Sequence, residues 1–184
     1  MPTVNNQIKY QIELKNCNIT IRNVSVEDAK SMIEYVNIIS SESDNLTYGS
    51  GEFNFTVEQE QKYIESMNNN PLNLFILATI NDEIVSIAQI QSNKKIRLSH
   101  LGQVALSVKQ KYWRKGIGNQ MMKTLIQWAK NNNFKKLNLE VTTTNEGAIS
   151  LYKKHDFIIE GTNKRSMMIK ENYIDTYYMG LIID

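Results

Sequence analysis

Two basic residues run directly into a glycine turn in the stretch "KYWRKGIGNQMM", residues 111–122. Arg114 and Lys115 come immediately before a Gly-Ile-Gly turn at residues 116–118, and a helix-forming sequence begins just after it. A helix N-terminus carries unpaired N–H groups and the positive end of the helix macrodipole, and glycine lets an anion approach the backbone closely. The stretch therefore predicts a phosphate-binding turn in which backbone N–H groups are the main donors.

Two common phosphate-binding patterns do not fit this turn. A Walker A loop requires Lys followed by Ser or Thr after its last glycine, whereas Gly118 is followed by Asn119 and Gln120. A dinucleotide-binding fingerprint requires a third glycine or a small residue at the position of Met121. The turn by itself therefore indicates a phosphate but leaves the ligand open.

The rest of the chain supplies strands and helices that position this turn. Apolar patterns give the element order β-α-α-β-β-β-α-β-α-β-β, which is typical of an α/β or α+β domain with a mixed sheet. Asn81 and Asp82 are expected to form a hairpin turn between two of the strands. The predicted strands are 18–24, 72–80, 83–90, 97–108, 135–141, 157–164 and 173–183, and the predicted helices are 25–40, 56–67, 118–130 and 145–155.

Composition and charge exclude several classes of protein. With 184 residues, 41% of them apolar and 22% charged, the sequence is typical of a globular domain with a full hydrophobic core. A formal net charge of +2 argues against nucleic acid as a partner, and no apolar run is long enough to cross a membrane. The single cysteine, Cys17, fits a reducing compartment, so a cytoplasmic location is expected. His100 and His155 lack metal-ligating neighbours in the sequence, so no metal site is expected.

A second motif follows the glycine turn. The segment "VALSVKQKYWRKGIGNQMMKTLIQWAK", followed by "LNLEVTTTNEGAISLYKKHDF", resembles the GNAT (GCN5-related) N-acetyltransferase superfamily. That family has a strand, a Q/R-x-x-G-x-G/A turn that opens a helix, a further strand and an N-x-x-A-x-x-x-Y helix. The resemblance is detailed over about residues 97–164, and the element order extends it over nearly the whole chain.

The resemblance implies the fold as well. It implies a GNAT-like α/β (α+β) fold with a mixed, mostly antiparallel sheet of about six to seven strands, about four flanking helices and splayed central strands. A single domain would span residues 1–184, with residues 1–17 as an N-terminal extension or an extra strand. Two departures from the family pattern are Trp113, where Gln or Arg is usual, and Asp156, where Gly is common.

Acetyl-CoA is the cosubstrate that the resemblance implies, with no metal. Its pyrophosphate would lie on the backbone of the glycine turn, and its pantetheine arm would pair with the end of the preceding strand. The implied cofactor-binding residues are Leu106, Ser107 and Val108 for pantetheine, Arg114, Lys115, Gly116, Ile117, Gly118 and Asn119 for pyrophosphate, and Asn145 and Tyr152 in the second motif.

The implied reaction is direct transfer of the acetyl group to a primary amine while both substrates are bound. In the family, the tyrosine matched by Tyr152 protonates the departing CoA thiolate, although its place near the apolar side of a helix also fits a plain core residue. The amine must lose a proton, so a general base is needed. Glu140 is a candidate because strand alternation places its side chain on the other face of the strand from Leu139 and Val141. The alternative is that Glu140 is an exposed carboxylate without a catalytic role.

The loop at residues 41–53 joins the first two predicted helices, where this family commonly builds its acceptor site. Tyr48 and Glu52 are candidates for binding a cationic amine, and Glu52 competes with Glu140 as the base; a solvated acidic loop explains the same residues. The acceptor would be a small amine or polyamine-like metabolite, or a drug-like amine. The alternatives are a catalytically idle CoA-binding sensor or scaffold, a protein N-terminal acetyltransferase and a plain nucleotide-binding protein. Because the family often dimerises, a homodimer is also expected.

Overall fold

Strands and helices follow one another in the order that the sequence predicts, with one additional strand before the first predicted one. The computed structural model describes residues 8–14 and 17–184. The strands are β1 (Lys9–Leu14), β2 (Cys17–Asn23), β3 (Leu74–Ile80), β4 (Glu83–Ser92), β5 (Leu101–Val108), β6 (Lys136–Thr142), β7 (Ile158–Ile169) and β8 (Asn172–Ile182). The α-helices are α1 (Ala29–Glu42), α2 (Val57–Asn68), α3 (Ile117–Asn131) and α4 (Glu146–Lys154).

Within the described residues, the eight strands form one mixed sheet in the order β1-β2-β3-β4-β5-β6-β8-β7. Neighbouring strands are antiparallel except β5 and β6, which are parallel. Their pairing covers only three residue pairs, from Leu101 with Lys136 to Gln103 with Asn138. Beyond that point β5 and β6 no longer pair with each other, although each still pairs with its other neighbour. The two strands therefore diverge toward their C-terminal ends. The predicted splayed central strands are confirmed.

Each face of the sheet carries helices. The α3 and α4 face holds the larger core, to which α3 contributes the apolar stripe of Met121, Leu125 and Trp128. The opposite face packs against α1 and α2 through a second cluster that includes Tyr35 and Ile64. On that second face α2 packs on β3 and α1 packs on β4, while Gln103 and Ala105 of β5 remain exposed.

The strand count is the clearest difference from the expectation. The sheet has eight strands because the described part of the N-terminal extension is a strand, β1, which pairs antiparallel with β2. Residues 1–7 and 15–16 of that extension lie outside the described residues. The predicted strand 97–108 begins at Leu101, since Ile96–Leu98 form a 3-10 turn instead. The predicted strand 157–164 continues to Ile169, past an irregular segment between Asn163 and Met167.

The predicted hairpin between β3 and β4 is confirmed. Asn81 and Asp82 both have positive φ angles, 49° and 63°, as a two-residue hairpin turn of the favoured twist requires. No helix in the described part of the chain is long and apolar enough to cross a membrane.

Candidate active site

The turn between β5 and α3 is built by backbone conformations that favour glycine. Gly116 has a φ of 93°, and Arg114 also lies in the left-handed region at 60°. The N–H of Gln120 donates to the carbonyl of Gly116 at 3.0 Å, which is the first hydrogen bond of α3. The N–H groups of residues 117–119 therefore lie in the first turn, where a helix supplies no acceptor, and they are positioned to bind an anion.

Gly118 brings the two sequence motifs into contact. A Cβ atom at Gly118 would lie 3.2 Å from Leu151 Cδ2 on α4 and 3.7 Å from Val108 Cγ2 at the end of β5. The missing side chain thus lets the start of α3 fit between β5 and α4. A further contact joins the same elements, because His155 Nε2 lies 3.1 Å from Asn119 Oδ1.

The end of β5 presents main-chain groups to the gap beside β6. The N–H of Lys109 donates to the carbonyl of Val85 at 3.0 Å, which fixes the phase of the antiparallel ladder with β4. Because the direction of main-chain groups alternates along a strand, the N–H and C=O of Leu106 and Val108 point away from β4. They face the gap that opens where β6 diverges. A ligand lying in this gap would pair with them as a neighbouring strand does.

Ser107, the third residue predicted to bind pantetheine, has a different environment. Its main chain faces β4, and its carbonyl accepts a hydrogen bond from Ser86 Oγ at 2.7 Å. Its side chain lies 3.0 Å from the hydroxyl of Tyr35 on α1. Ser107 therefore links the strand to its neighbours, and the groups that face the gap come from the residues on either side.

Trp113 contacts the same strand end from the glycine turn. Its indole Nε1 donates to the carbonyl of Val108 at 2.7 Å, while 45% of the residue stays exposed. The indole therefore occupies one of the acceptors that face the gap. This contact is the structural consequence of a tryptophan at the position where the family usually has Gln or Arg.

Glu83, at the start of β4, holds the beginning of the turn, and the sequence did not single it out. Its carboxylate accepts hydrogen bonds from Lys109 Nζ at 2.9 Å, Lys111 Nζ at 3.0 Å and the Tyr112 hydroxyl at 2.9 Å. The hydrogen bond from Lys109, with those from Lys111 and Tyr112, lowers the pKa of Glu83 to about 2. Lys115 Nζ lies 4.9 Å from the Tyr112 ring centroid, so the basic end of the turn is tied to the same cluster.

Tyr152 lies on α4 in the core on the α3 side of the sheet, with 7% of its surface exposed. Burial raises the pKa of its hydroxyl to about 12. Among residues 8–14 and 17–184 that hydroxyl has no hydrogen-bond partner, and no fully enclosed side-chain polar atom there lacks one. The Tyr152 oxygen therefore has some access to open space, although most of the ring is packed as a core residue.

Glu140 lies on the opposite face of the sheet from Tyr152. Its neighbours Leu139 and Val141 point into the core, so the predicted alternation along β6 is confirmed. The Glu140 carboxylate accepts hydrogen bonds from the buried Thr176 hydroxyl and from Asn163 Nδ2. It is therefore an oriented side chain rather than a fully solvated one.

Asn145 and Glu52 each bind their own local backbone. Asn145 Oδ1 accepts a hydrogen bond from the N–H of Ala148 at 3.1 Å and caps α4, as the sequence predicts. Glu52 is exposed, and its carboxylate accepts from the N–H of Gly49 at 2.8 Å inside its own loop. The Glu52 side chain is thus committed to the loop backbone.

The loop that contains Tyr48 and Glu52 lies over the C-terminal end of β6. Asn45 Oδ1 accepts from the Thr142 hydroxyl at 3.1 Å, and Asp44 pairs with Lys170 Nζ at 2.9 Å in the β7–β8 turn. The rings of Tyr48 and Phe53 meet edge to face with centroids 5.2 Å apart. These contacts place the loop beside the gap between β5 and β6, on the same side as Glu140.

The site therefore consists of a slot between the splayed strands β5 and β6, with the first turn of α3 at one end. The loop that contains Tyr48 and Glu52 lies beside the slot. Residues 39–157 match the model of the acetyltransferase (GNAT) family. Since this match covers more than half of the chain, the protein belongs to the GNAT family. The predicted family, fold class and acyltransferase activity are confirmed.

The curated relatives that match are N-acetyltransferases. The L-amino acid N-acetyltransferase AaaT of Escherichia coli is 29% identical over 108 residues, which is 58% of this chain and 67% of that protein. Streptothricin acetyltransferase A of Bacillus subtilis is 41% identical over 54 residues, 29% of this chain and only 31% of that protein. The chain thus resembles acetyltransferases, and the second match spans less than a third of the relative.

Solved structures agree with the family assignment. A GNAT acetyltransferase from Streptococcus pneumoniae has a TM-score of 0.86 at 29% identity, covering 90% of this chain and 99% of its own. A structure from Salmonella typhimurium with its cofactor acetyl-CoA has a TM-score of 0.80 at 15% identity, covering 91% of this chain and 95% of its own. The latter likeness is one of fold alone.

The site residues fit the CoA moiety on structural grounds. The gap leaves the main-chain groups of Leu106 and the N–H of Val108 available for an amide-bearing chain, while the Val108 carbonyl accepts from Trp113. The first turn of α3 offers donors for a diphosphate. Among the residues that the structure describes, no group of three or more His, Cys, Asp and Glu side chains is placed to hold a metal ion.

Proposed function

We propose that the protein transfers the acetyl group of acetyl-CoA to a primary amine of a small molecule, an amine metabolite or a drug-like amine, with both substrates bound at once. The observation that carries this proposal is the alignment of the gap beside β5 with the glycine turn at its end. The main-chain groups of Leu106 and Val108 face the gap, and the donors of residues 117–119 follow directly. This layout suits a long ligand with amides in one part and a diphosphate in the other.

The chain binds this ligand mainly through its backbone. Leu106 and Val108 pair with the pantetheine amides, and the N–H groups from Arg114 to Asn119 take the pyrophosphate, with the Arg114 and Lys115 side chains assisting at the rim. The Val108 carbonyl accepts from Trp113 Nε1, so Val108 contributes its N–H to this pairing. When bound, acetyl-CoA supplies an activated acetyl thioester.

Tyr152 acts as the general acid in this proposal. Since burial raises the pKa of Tyr152 to about 12, the phenol keeps its proton at neutral pH and is available to donate it to the CoA sulfur. Its hydroxyl has no competing partner among the described residues, so it is not engaged elsewhere.

Glu140 acts as the general base from the other face of the sheet. Its carboxylate is held by Thr176 and Asn163 and accepts a proton from the acceptor ammonium, directly or through water. An acid and a base on opposite faces of the slot would serve the two proton transfers separately. This proposal places the protein in the cytoplasm, because its single cysteine, Cys17, fits a reducing compartment.

The proposal is tested first by thermal unfolding with acetyl-CoA, CoA, ATP and NAD. A ligand at a hundred times its Kd stabilises by about 2.7 kcal/mol, which raises Tm by roughly 5–10 °C for a chain of this length. We expect a shift with the two CoA forms alone, followed by thiol release when amines are added. A shift only with ATP or NAD would overturn the cofactor assignment, and CoA binding without turnover of any amine or peptide N-terminus would favour an idle sensor.

A further inference from the structure

The acidic residues in and beside the loop that joins α1 and α2 already make hydrogen bonds or ion pairs within the protein. Asp44 pairs with Lys170, and Glu52 accepts from the N–H of Gly49. Glu42, at the end of α1, accepts from the N–H of Gln110 at 2.7 Å. If the acceptor carries a positive charge, a different carboxylate is better placed to receive it.

Glu60 is a buried carboxylate that the fold leaves without a partner. It lies on the buried stripe of α2 with Ile64 and Met67, and only 3% of its surface is exposed. Among the described residues its side chain makes no hydrogen bond and no ion pair. No fully enclosed polar side-chain atom there lacks a partner, so the Glu60 oxygens retain access to open space. Burying a carboxylate in this way costs stability and calls for an explanation.

The contacts of Tyr63, on the next turn of α2, indicate which open space the Glu60 oxygens face. Tyr63 donates to Gln89 Oε1 on β4 at 2.9 Å, and Gln89 pairs with Ala105 on β5. Ala105 is exposed on the α1 and α2 side, so the sheet is uncovered at this point. Glu60 precedes Tyr63 by three residues, close to one helical turn, and so lies on the same side of α2. Glu60 and Tyr63 therefore lie together beside the open face of β5.

We propose that Glu60 binds a cationic group of the acceptor, with Tyr63 beside it, while a second amine of the same molecule reaches the slot near Glu140. The acceptor class is then a small molecule with two basic groups, such as a diamine. The aromatic ring of Tyr63 suits a cation as well as the aliphatic chain that joins the two groups. This inference rests on the proposed function, since it concerns the acceptor of that reaction.

A comparison of diamines with monoamines tests the assignment. The probes are a series of α,ω-diaminoalkanes and n-alkylamines of the same carbon number, with Glu60→Gln as the variant and Glu65→Gln, an exposed residue of α2, as the control. We expect wild type and Glu65→Gln to show a KM for the best diamine at least about tenfold below that of the matched monoamine. Glu60→Gln should lose this preference with an unchanged Kd for acetyl-CoA. A preference that persists in Glu60→Gln, or none in wild type, would overturn the inference while leaving the proposed function intact.

Diamine binding to the CoA complex provides a readout that does not need turnover. Calorimetric titration of the best-fitting diamine into CoA-bound protein should give binding that Glu60→Gln weakens at least about tenfold and Glu65→Gln does not. If no amine releases thiol, the proposed function fails, and this titration still decides the role of Glu60. Equal binding by both variants would contradict that role.

The thermal stability of the ligand-free protein tests whether the Glu60 carboxylate lacks a partner. Because burial raises its pKa, Glu60 lowers the stability of the folded protein as pH rises from the pKa of an unfolded glutamate to this raised pKa. The penalty is complete above the raised pKa and absent at low pH. Glu60→Gln should therefore unfold at a higher temperature than wild type at pH 8, by roughly 2–4 °C, and the difference should shrink toward pH 4. A lower Tm for Glu60→Gln at both pH values would show that the carboxylate has a structural partner, and would overturn the inference.

Discussion

The two halves of the site are built in different ways. The cofactor half, from β5 through α4, uses main-chain groups and the absence of side chains, as at Gly116 and Gly118. The proposed acceptor half, made of loop 43–56, the start of α2 and the β7–β8 hairpin, depends on side chains that meet from distant parts of the chain, such as Asn45 with Thr142. Main-chain donors and acceptors are nearly the same for every residue type, so the cofactor half depends on the path of the chain. The proposed acceptor half depends on which side chains are present.

The largest effect is expected at Tyr152, which belongs to the cofactor half but acts through a side chain. Tyr152→Phe should lower kcat by about a hundredfold or more, because general acid catalysis contributes on that scale. The hydroxyl has no hydrogen-bond partner within the described chain, so its removal should leave Tm unchanged or slightly raised. Steady-state thiol release and thermal unfolding measure the two quantities.

Tyr173→Phe is the matched control, since Tyr173 is 61% exposed and its hydroxyl makes no hydrogen bond among the residues that the structure describes. The same kcat for Tyr152→Phe and wild type would remove the general acid from the mechanism. A reduced kcat accompanied by a large loss of Tm would instead identify Tyr152 as a core residue only.

Gly118 tests the packing that the cofactor half requires. Gly118→Val places branched methyl groups next to a position that is already 3.2 Å from Leu151, so α4 must move away from α3. Overpacking costs about 1–3 kcal/mol, which lowers Tm by roughly 3–10 °C, and the displaced turn should bind acetyl-CoA more weakly. Gly147→Val is the control, because a Cβ there meets only Asn145 Oδ1 at 4.0 Å. Equal Tm and equal cofactor Kd for the two variants would show that the close contact is unimportant.

Local sequence patterns predict most of the backbone features of the cofactor half. Gly116 and Gly118 mark a positive φ and a close approach, and both are properties of a single residue that the sequence displays directly. The cap at Asn145 and the alternation around Glu140 are also local, and the structure shows both. What local pattern could not give is the divergence of β5 and β6, which is a property of the whole sheet and came from the family resemblance.

The acceptor half was harder to predict because its contacts join residues far apart in the chain. Glu52 has the charge and loop position expected of an acceptor-binding residue, yet its carboxylate binds the backbone of its own loop. Glu60 interrupts the apolar stripe of Ile64 and Met67, and this interruption is the local sequence sign of an unusual carboxylate. Glu83 gave no such signal, because its role depends on Lys109, which is 26 residues further along the chain.

The smallest losses of Tm are expected when one ion pair is broken in each half of the site. Glu83→Gln weakens the tie to Lys109, whose side chain is only 8% exposed, whereas Lys170→Ala removes a pair with Asp44 in which both side chains are mostly exposed. Solvent screens both carboxylates in part, so we expect Tm losses of roughly 2–4 °C for Glu83→Gln and less than about 1–2 °C for Lys170→Ala. Glu83→Gln should also weaken acetyl-CoA binding severalfold, because Glu83 fixes the start of the turn.

Acid titration separates the electrostatic part of the Glu83 effect. Because its hydrogen bond from Lys109, with others, lowers the pKa of Glu83 to about 2, its contribution to stability is fully present above the pKa of an unfolded glutamate and is lost as pH falls toward 2. The Tm difference between wild type and Glu83→Gln should therefore be largest above about pH 5 and disappear near pH 2. A difference that does not change with pH would mean that Glu83 acts through its shape alone, and the cofactor half would then be held by the backbone without electrostatic support.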